Sequence, residues 1–86
     1  MHRSVKFSCQ APEARGVCLV GNFNQWQPGA HPMTRRPDGS WQIALHLARG
    51  NHHYQFLVDG EPVLDPRATG VACNNRAERV SLLALR

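Results

Sequence analysis

Acidic residues are scarce in this chain, with six carboxylate side chains against ten lysines and arginines in 86 residues. Glycoside hydrolysis needs two carboxylates flanking a cleft. Here Asp38, Asp59 and Asp65 each adjoin a Gly or a Pro, where turn formation accounts for them. That leaves Glu13, Glu61 and Glu78, which form no pair in the sequence. Cysteine is also sparse. Cys9, Cys18 and Cys73 are odd in number and show no C-x-x-C spacing, which excludes a disulfide framework and a zinc knuckle. No apolar run reaches the length of a transmembrane helix, and Met1-His2-Arg3-Ser4 leads into alternating residues without an apolar signal core. A Gly-rich phosphate loop and a nucleophile elbow are both lacking. These absences give four expectations: no catalysis, no cofactor, no membrane partner, and a reduced, cytoplasmic protein.

Charge is present but dispersed. The formal net charge is +4, and apart from Lys6 the cations are arginines at 3, 15, 35, 36, 49, 67, 76, 79 and 86. Only Arg35-Arg36 are adjacent. Nucleic-acid binders concentrate such charge in a stripe or cluster, so no nucleic-acid partner is expected. At 86 residues the chain is expected to form one domain, 1–86, with a modest core.

The hydrophobic pattern has period two throughout. Val5, Phe7 and Cys9 alternate with Ser4, Lys6 and Ser8. Val17-Cys18-Leu19-Val20 is continuous and suits a buried central strand. Met33-Thr34-Arg35 suits a short strand, and Pro37-Asp38-Gly39 a turn. Trp41, Ile43, Leu45 and Leu47 form one apolar set, and Tyr54, Phe56 and Val58 another. A tight turn at Arg49-Gly50 would pair these sets as a hairpin, with Leu45 opposite Tyr54, Ile43 opposite Phe56 and Trp41 opposite Val58. The same register places His46 opposite His53 on the outer face. Two imidazoles alone fall short of the three or four ligands of a zinc site, so no metal is expected. Asp59-Gly60 marks a further turn, Val63-Leu64 a short strand, 67–76 a loop, and Val80, Leu82 and Ala84 a last strand. Short strands at regular spacing, with no helical segment, predict an all-β, immunoglobulin-like antiparallel sandwich of about seven strands.

Gly21-Asn22-Phe23-Asn24-Gln25-Trp26 stands apart from this pattern. It puts a tryptophan in an amide-rich loop, away from the alternating sets. Flat indole beside amide donors and acceptors suits a sugar ring, which has an apolar face and a rim of hydroxyls. Trp41, by contrast, opens an apolar strand face and is expected in the core.

Several elements also match a known pattern in order and spacing. They are Phe7 with Ala11-Pro12-Glu13-Ala14, then Val17 to Trp26, Pro32-Met33, Asp38-Gly39-Ser40-Trp41, Tyr54-Gln55-Phe56-Leu57-Val58-Asp59-Gly60, Asp65-Pro66 and Asn74-Asn75. The chain resembles the family 48 carbohydrate-binding modules. These are the early set domains of isoamylases and glycogen branching enzymes, and the glycogen-binding domain of the AMP-activated protein kinase β subunit. The resemblance implies an α-1,4-glucan or maltooligosaccharide ligand. It carries the first stacking tryptophan of kinase-type modules to Trp26, their lysine to Gln55, and their asparagine to Asn74 or Asn75. The second tryptophan falls on Pro62, so the platform is reduced and weak binding is expected. The same resemblance admits an alternative: a protein-interaction or regulatory module of this fold that has lost its sugar, or an accessory domain packed on the catalytic domain of a debranching or branching enzyme.

Overall fold

The computed structural model describes residues 2–73 and 77–86. The chain runs through β1 (His2–Gln10), β2 (Val17–Gly21), β3 (Thr34–Arg35), β4 (Ser40–Ala48), β5 (Gly50–Val58), β6 (Glu61–Val63), β7 (Gly70–Cys73) and β8 (Arg79–Leu85). They form two antiparallel sheets, one in the order β1-β4-β3 and one in the order β2-β5-β8-β7. β6 also pairs with β5, over Phe56 to Val58, on the edge of β5 that faces β8. The all-β sandwich expected from the alternation is what forms, with eight strands where about seven were read.

The core lies between the sheets. Phe7, Cys9, Trp41 and Leu47 come from one sheet, and Val17, Leu19, Tyr54 and Phe56 from the other. Phe7 meets Tyr54 edge to face, with ring centroids 5.0 Å apart. Leu19 and Phe56, cross-strand partners, are both fully buried. Each such side chain contributes about 1.5–3 kcal/mol on burial. Trp41 is core as expected, and its indole N–H donates to the Ala11 carbonyl at 2.9 Å.

The hairpin read between residues 41–47 and 54–58 does not form. β4 pairs with β1 and β3, whereas β5 pairs with β2, β6 and β8. The chain passes from one sheet to the other through Arg49 and Gly50, whose φ of 127° is open to glycine and strained for other residues. Period-two alternation identifies the buried face of a strand but not its neighbour. Here the two apolar faces meet across the core instead of lying side by side. His46 and His53 consequently sit in different sheets, opposite Ser4 and Leu82.

Two further expectations are corrected. β2 is buried but is an edge of its sheet, not a central strand. Its open side is covered by 31–33, where Leu19 N donates to His31 O at 2.9 Å and Met33 N to Val17 O at 2.8 Å. Residues 67–76, read as loop, contain β7, which pairs with β8 from Gly70↔Leu82 to Cys73↔Arg79.

The turn carboxylates serve the backbone. Asp59 has φ of 51° in the two-residue turn between β5 and β6. Its Oδ1 accepts from Arg15 N and Gly16 N at 2.8 and 2.9 Å, tying this turn to the β1–β2 connection. Asp65 Oδ2 accepts from the Tyr54 hydroxyl at 2.6 Å and Oδ1 from Arg67 N at 2.9 Å, while Asp65 N donates to Ser81 Oγ at 2.8 Å. Burial, with help from Asp65, pushes the Tyr54 hydroxyl far above its ordinary range, so it stays a donor at all working pH.

Candidate functional site

The Trp26 loop is built on Asn24. Asn24 Oδ1 accepts from Gly21 N at 3.0 Å and Trp26 N at 3.1 Å. Its Nδ2 lies 3.0 Å from Leu19 O and 2.8 Å from His31 Nδ1. Trp26 N also donates to Gly21 O at 2.9 Å, closing the loop over one turn. Gln25 and Trp26 both take left-handed conformations, with φ of 59° and 57°. Such backbone persists only where its surroundings hold it, and the Asn24 amide does so. Gly21 is required for space, because a Cβ there would come within 2.6 Å of both His53 O and the Phe23 ring. Phe23 turns inward, its ring 6.3 Å from Phe7, 6.2 Å from His31 and 6.1 Å from His52.

Two of the loop's amides are engaged by the fold: Asn22 Oδ1 accepts from His53 N at 3.3 Å, and Asn24 is saturated by the loop itself. Trp26, at 36% exposure, is exposed at the tip together with Gln25 and Gln27, and Asn22 is exposed at the base of the loop. Their spacing gave no separate sign of the Asn24–His31 contact. A short polar side chain able to mimic a backbone turn, three residues after Gly21, was the available clue.

The second part of the candidate site is the outer face of the larger sheet. Tyr54 and Phe56 point into the core, so Gln55 points out. Gln55 pairs with Val20 on β2, the residue before Gly21. Its Nε2 donates to Arg79 O at 3.0 Å, at the start of β8. Pro62 pairs with Leu57 on β6 and shares this face. Gln55 is therefore one residue from the root of the Trp26 loop along β2, and bonded to the end of the connection that contains Asn74 and Asn75. Those two asparagines lie outside the described residues. Among the described residues, no group of three or more His, Cys, Asp or Glu side chains could hold a metal ion.

Residues 4–84 match the family described as the glycogen recognition site of AMP-activated protein kinase. The chain belongs to that family. It is also similar to 1,4-alpha-glucan branching enzymes. It is 37% identical over 70 residues to GlgB 2 of Xanthomonas campestris pv. campestris (strain 8004), covering 76% of this chain and 10% of the relative. It is 43% identical over 56 residues to GlgB of Bradyrhizobium sp. (strain ORS 278), covering 65% of this chain and 8% of the relative. With GlgB of Cupriavidus pinatubonensis the identity is 45% over 49 residues, covering 56% and 6%. The chain thus spans about a tenth of the length of the first of these relatives.

Proposed function

We propose that this domain is a non-catalytic α-glucan binding module in which a glucose ring stacks on Trp26 and runs toward the outward face of β5. The observation that carries the reading is Trp26 itself. A built loop with two left-handed residues holds a large apolar side chain at the surface, although burial would stabilise it by about 1.5–3 kcal/mol. Gln55 would add one neutral amide contact, through the Oε1 that its bond to Arg79 leaves free. With proline at position 62, binding rests on one aromatic platform and is weak. Asn74 and Asn75 are carried into the proposal by the family resemblance alone. Electrophoresis through glycogen- or amylopectin-containing gels tests it. Retardation of the native domain and its loss in Trp26→Ala are expected, and equal migration with and without glucan would refute the reading.

A second reading has its own support. Leu57, Pro62 and Leu82, with Val20 and Val80 already buried beside them, give the outer face of the larger sheet an apolar character, and the chain matches only about a tenth of its branching-enzyme relatives. Both suit a module that packs against a catalytic domain or another protein partner. A stable partner that protects Trp26 from quenching would favour it. A monomer that binds maltooligosaccharides unaided would count against it. On either reading we place the protein in the cytoplasm, in keeping with its free cysteines.

A further inference from the structure

The Asn24 amide has only one orientation that serves its partners. Two backbone N–H groups, of Gly21 and Trp26, point at one of its terminal atoms, which must be the oxygen. The other atom is then the NH2 group. It donates to Leu19 O and, with its second hydrogen, to His31 Nδ1. His31 Nδ1 must therefore be an acceptor, which only the neutral imidazole protonated on Nε2 provides. The His31 ring is held for this role. Its backbone carbonyl accepts from Leu19 N at 2.9 Å, and its ring meets Phe23 at 6.2 Å with the planes tilted by 62°.

From this geometry we infer that His31 is a positioning residue for Trp26 and makes glucan binding dependent on pH. The inference rests on the glucan reading for its ligand, but not for its mechanism. A proton on Nδ1 places an N–H against the Asn24 NH2 group. The contact turns from a hydrogen bond into a clash of donors. Asn24 Nδ2 then keeps Leu19 O alone, and the hold of its oxygen on Trp26 N, which Gly21 O shares, weakens at the left-handed pair of Gln25 and Trp26. The titratable and charged groups on the elements around His31 are Cys18 of β2, His52 and His53 of β5, and Arg3 and Cys9 on the Phe7 face of β1. None is a carboxylate, and residues 2–10, 17–34 and 50–58 contain no acidic side chain that could stabilise an imidazolium. The sign follows. The closed loop needs the neutral ring, so it is favoured at higher pH and weakened where the ring takes up a proton.

Nitrogen-15 NMR of the intact domain tests this without sugar, and a maltoheptaose titration tests its consequence. At alkaline pH, His31 Nδ1 is expected to give the signal of an unprotonated ring nitrogen. The Trp26 backbone amide should shift with the His31 titration. Affinity for maltoheptaose should fall about fivefold toward pH 5, the worth of one hydrogen bond. In His31→Asn, whose carbonyl accepts at any pH, the Trp26 amide and the affinity should both become insensitive over this range. A protonated Nδ1 at high pH, a Trp26 amide that ignores the His31 titration, or a His31→Asn profile identical to the native one would each overturn the inference. If maltoheptaose binds at no pH, the glucan reading fails, while the ring nitrogen and Trp26 amide signals still decide the role of His31.

Discussion

Two tryptophans with the same chemistry have opposite fates here, and their neighbours decide which. Trp41 sits where strand alternation turns it inward, and its only polar atom finds the Ala11 carbonyl. Trp26 sits in a loop whose curvature comes from one amide. Asn24 joins four groups of that loop and its base, and three of these bonds are half-buried, where water is a poor substitute. Asn24→Ala should therefore destabilise the domain by about 2–3 kcal/mol, because it leaves donors and acceptors unpaired. Urea denaturation measures this. Trp26→Ala should cost less than about 1 kcal/mol, as a surface substitution, while removing glucan retention. The contrast between the two variants separates the residue that builds the loop from the residue proposed to hold the sugar.

At the scale of elements, the fixed points are polar bridges between strands and connections. Tyr54 on β5, Asp65 before β7 and Ser81 on β8 form one such bridge. Tyr54→Phe removes a hydrogen bond to a charged acceptor and should cost about 1.5–3 kcal/mol, read as a lower urea midpoint. The β3–β4 turn offers a check with pH. Hydrogen bonds from the Ser40 hydroxyl and backbone hold the Asp38 carboxyl below its ordinary range. A depressed folded value means that its contribution is present above the ordinary carboxylate range and lost as pH falls through the folded value. Carbon-detected NMR titration should show Asp38 titrating below a free aspartate, and Ser40→Ala should bring it back toward normal.

These elements also show what the sequence could convey. The inward faces of β1, β4 and β5 were readable because alternation encodes burial directly. The partner of β4 was not, because strand pairing depends on which edge is free, and alternation is silent on edges. β7 escaped notice because Gly70-Val71-Ala72-Cys73 is short and its valine is 53% exposed. Of the candidate site, Trp26 and the outward direction of Gln55 were legible. The use of Asn22 and Asn24 was not, since an amide that binds sugar and one that binds backbone look the same in a sequence.

Across the whole molecule, one end of the sandwich carries cations alone and the other a mixture of both signs. The start of β1, the β4–β5 passage and the end of β8 share one end, as His2↔Ala48 and Gly50↔Leu85 require. The Trp26 loop lies there too, with Asn22 against His53. This end carries Arg3, Arg49 and Arg86, whereas Glu13, Asp38, Asp59, Glu61 and Glu78 lie in or beside connections at the other, interspersed with Arg15, Arg35, Arg36 and Arg79. A neutral sugar is indifferent to that field. Maltoheptaose affinity should change less than about twofold when salt is raised beyond the range where surface charges are screened. A steep loss would instead mark a charged ligand such as nucleic acid. The domain is proposed to bind its ligand on Trp26 as a single aromatic platform, since Trp41 is in the core. The most direct test is an NMR titration with maltoheptaose that follows both indole N–H signals. A saturable shift of Trp26, accompanied by the amides of Val20 and Gln55 and with Trp41 unmoved, is the predicted result. A Trp26 signal that stays fixed at saturating sugar would contradict the account.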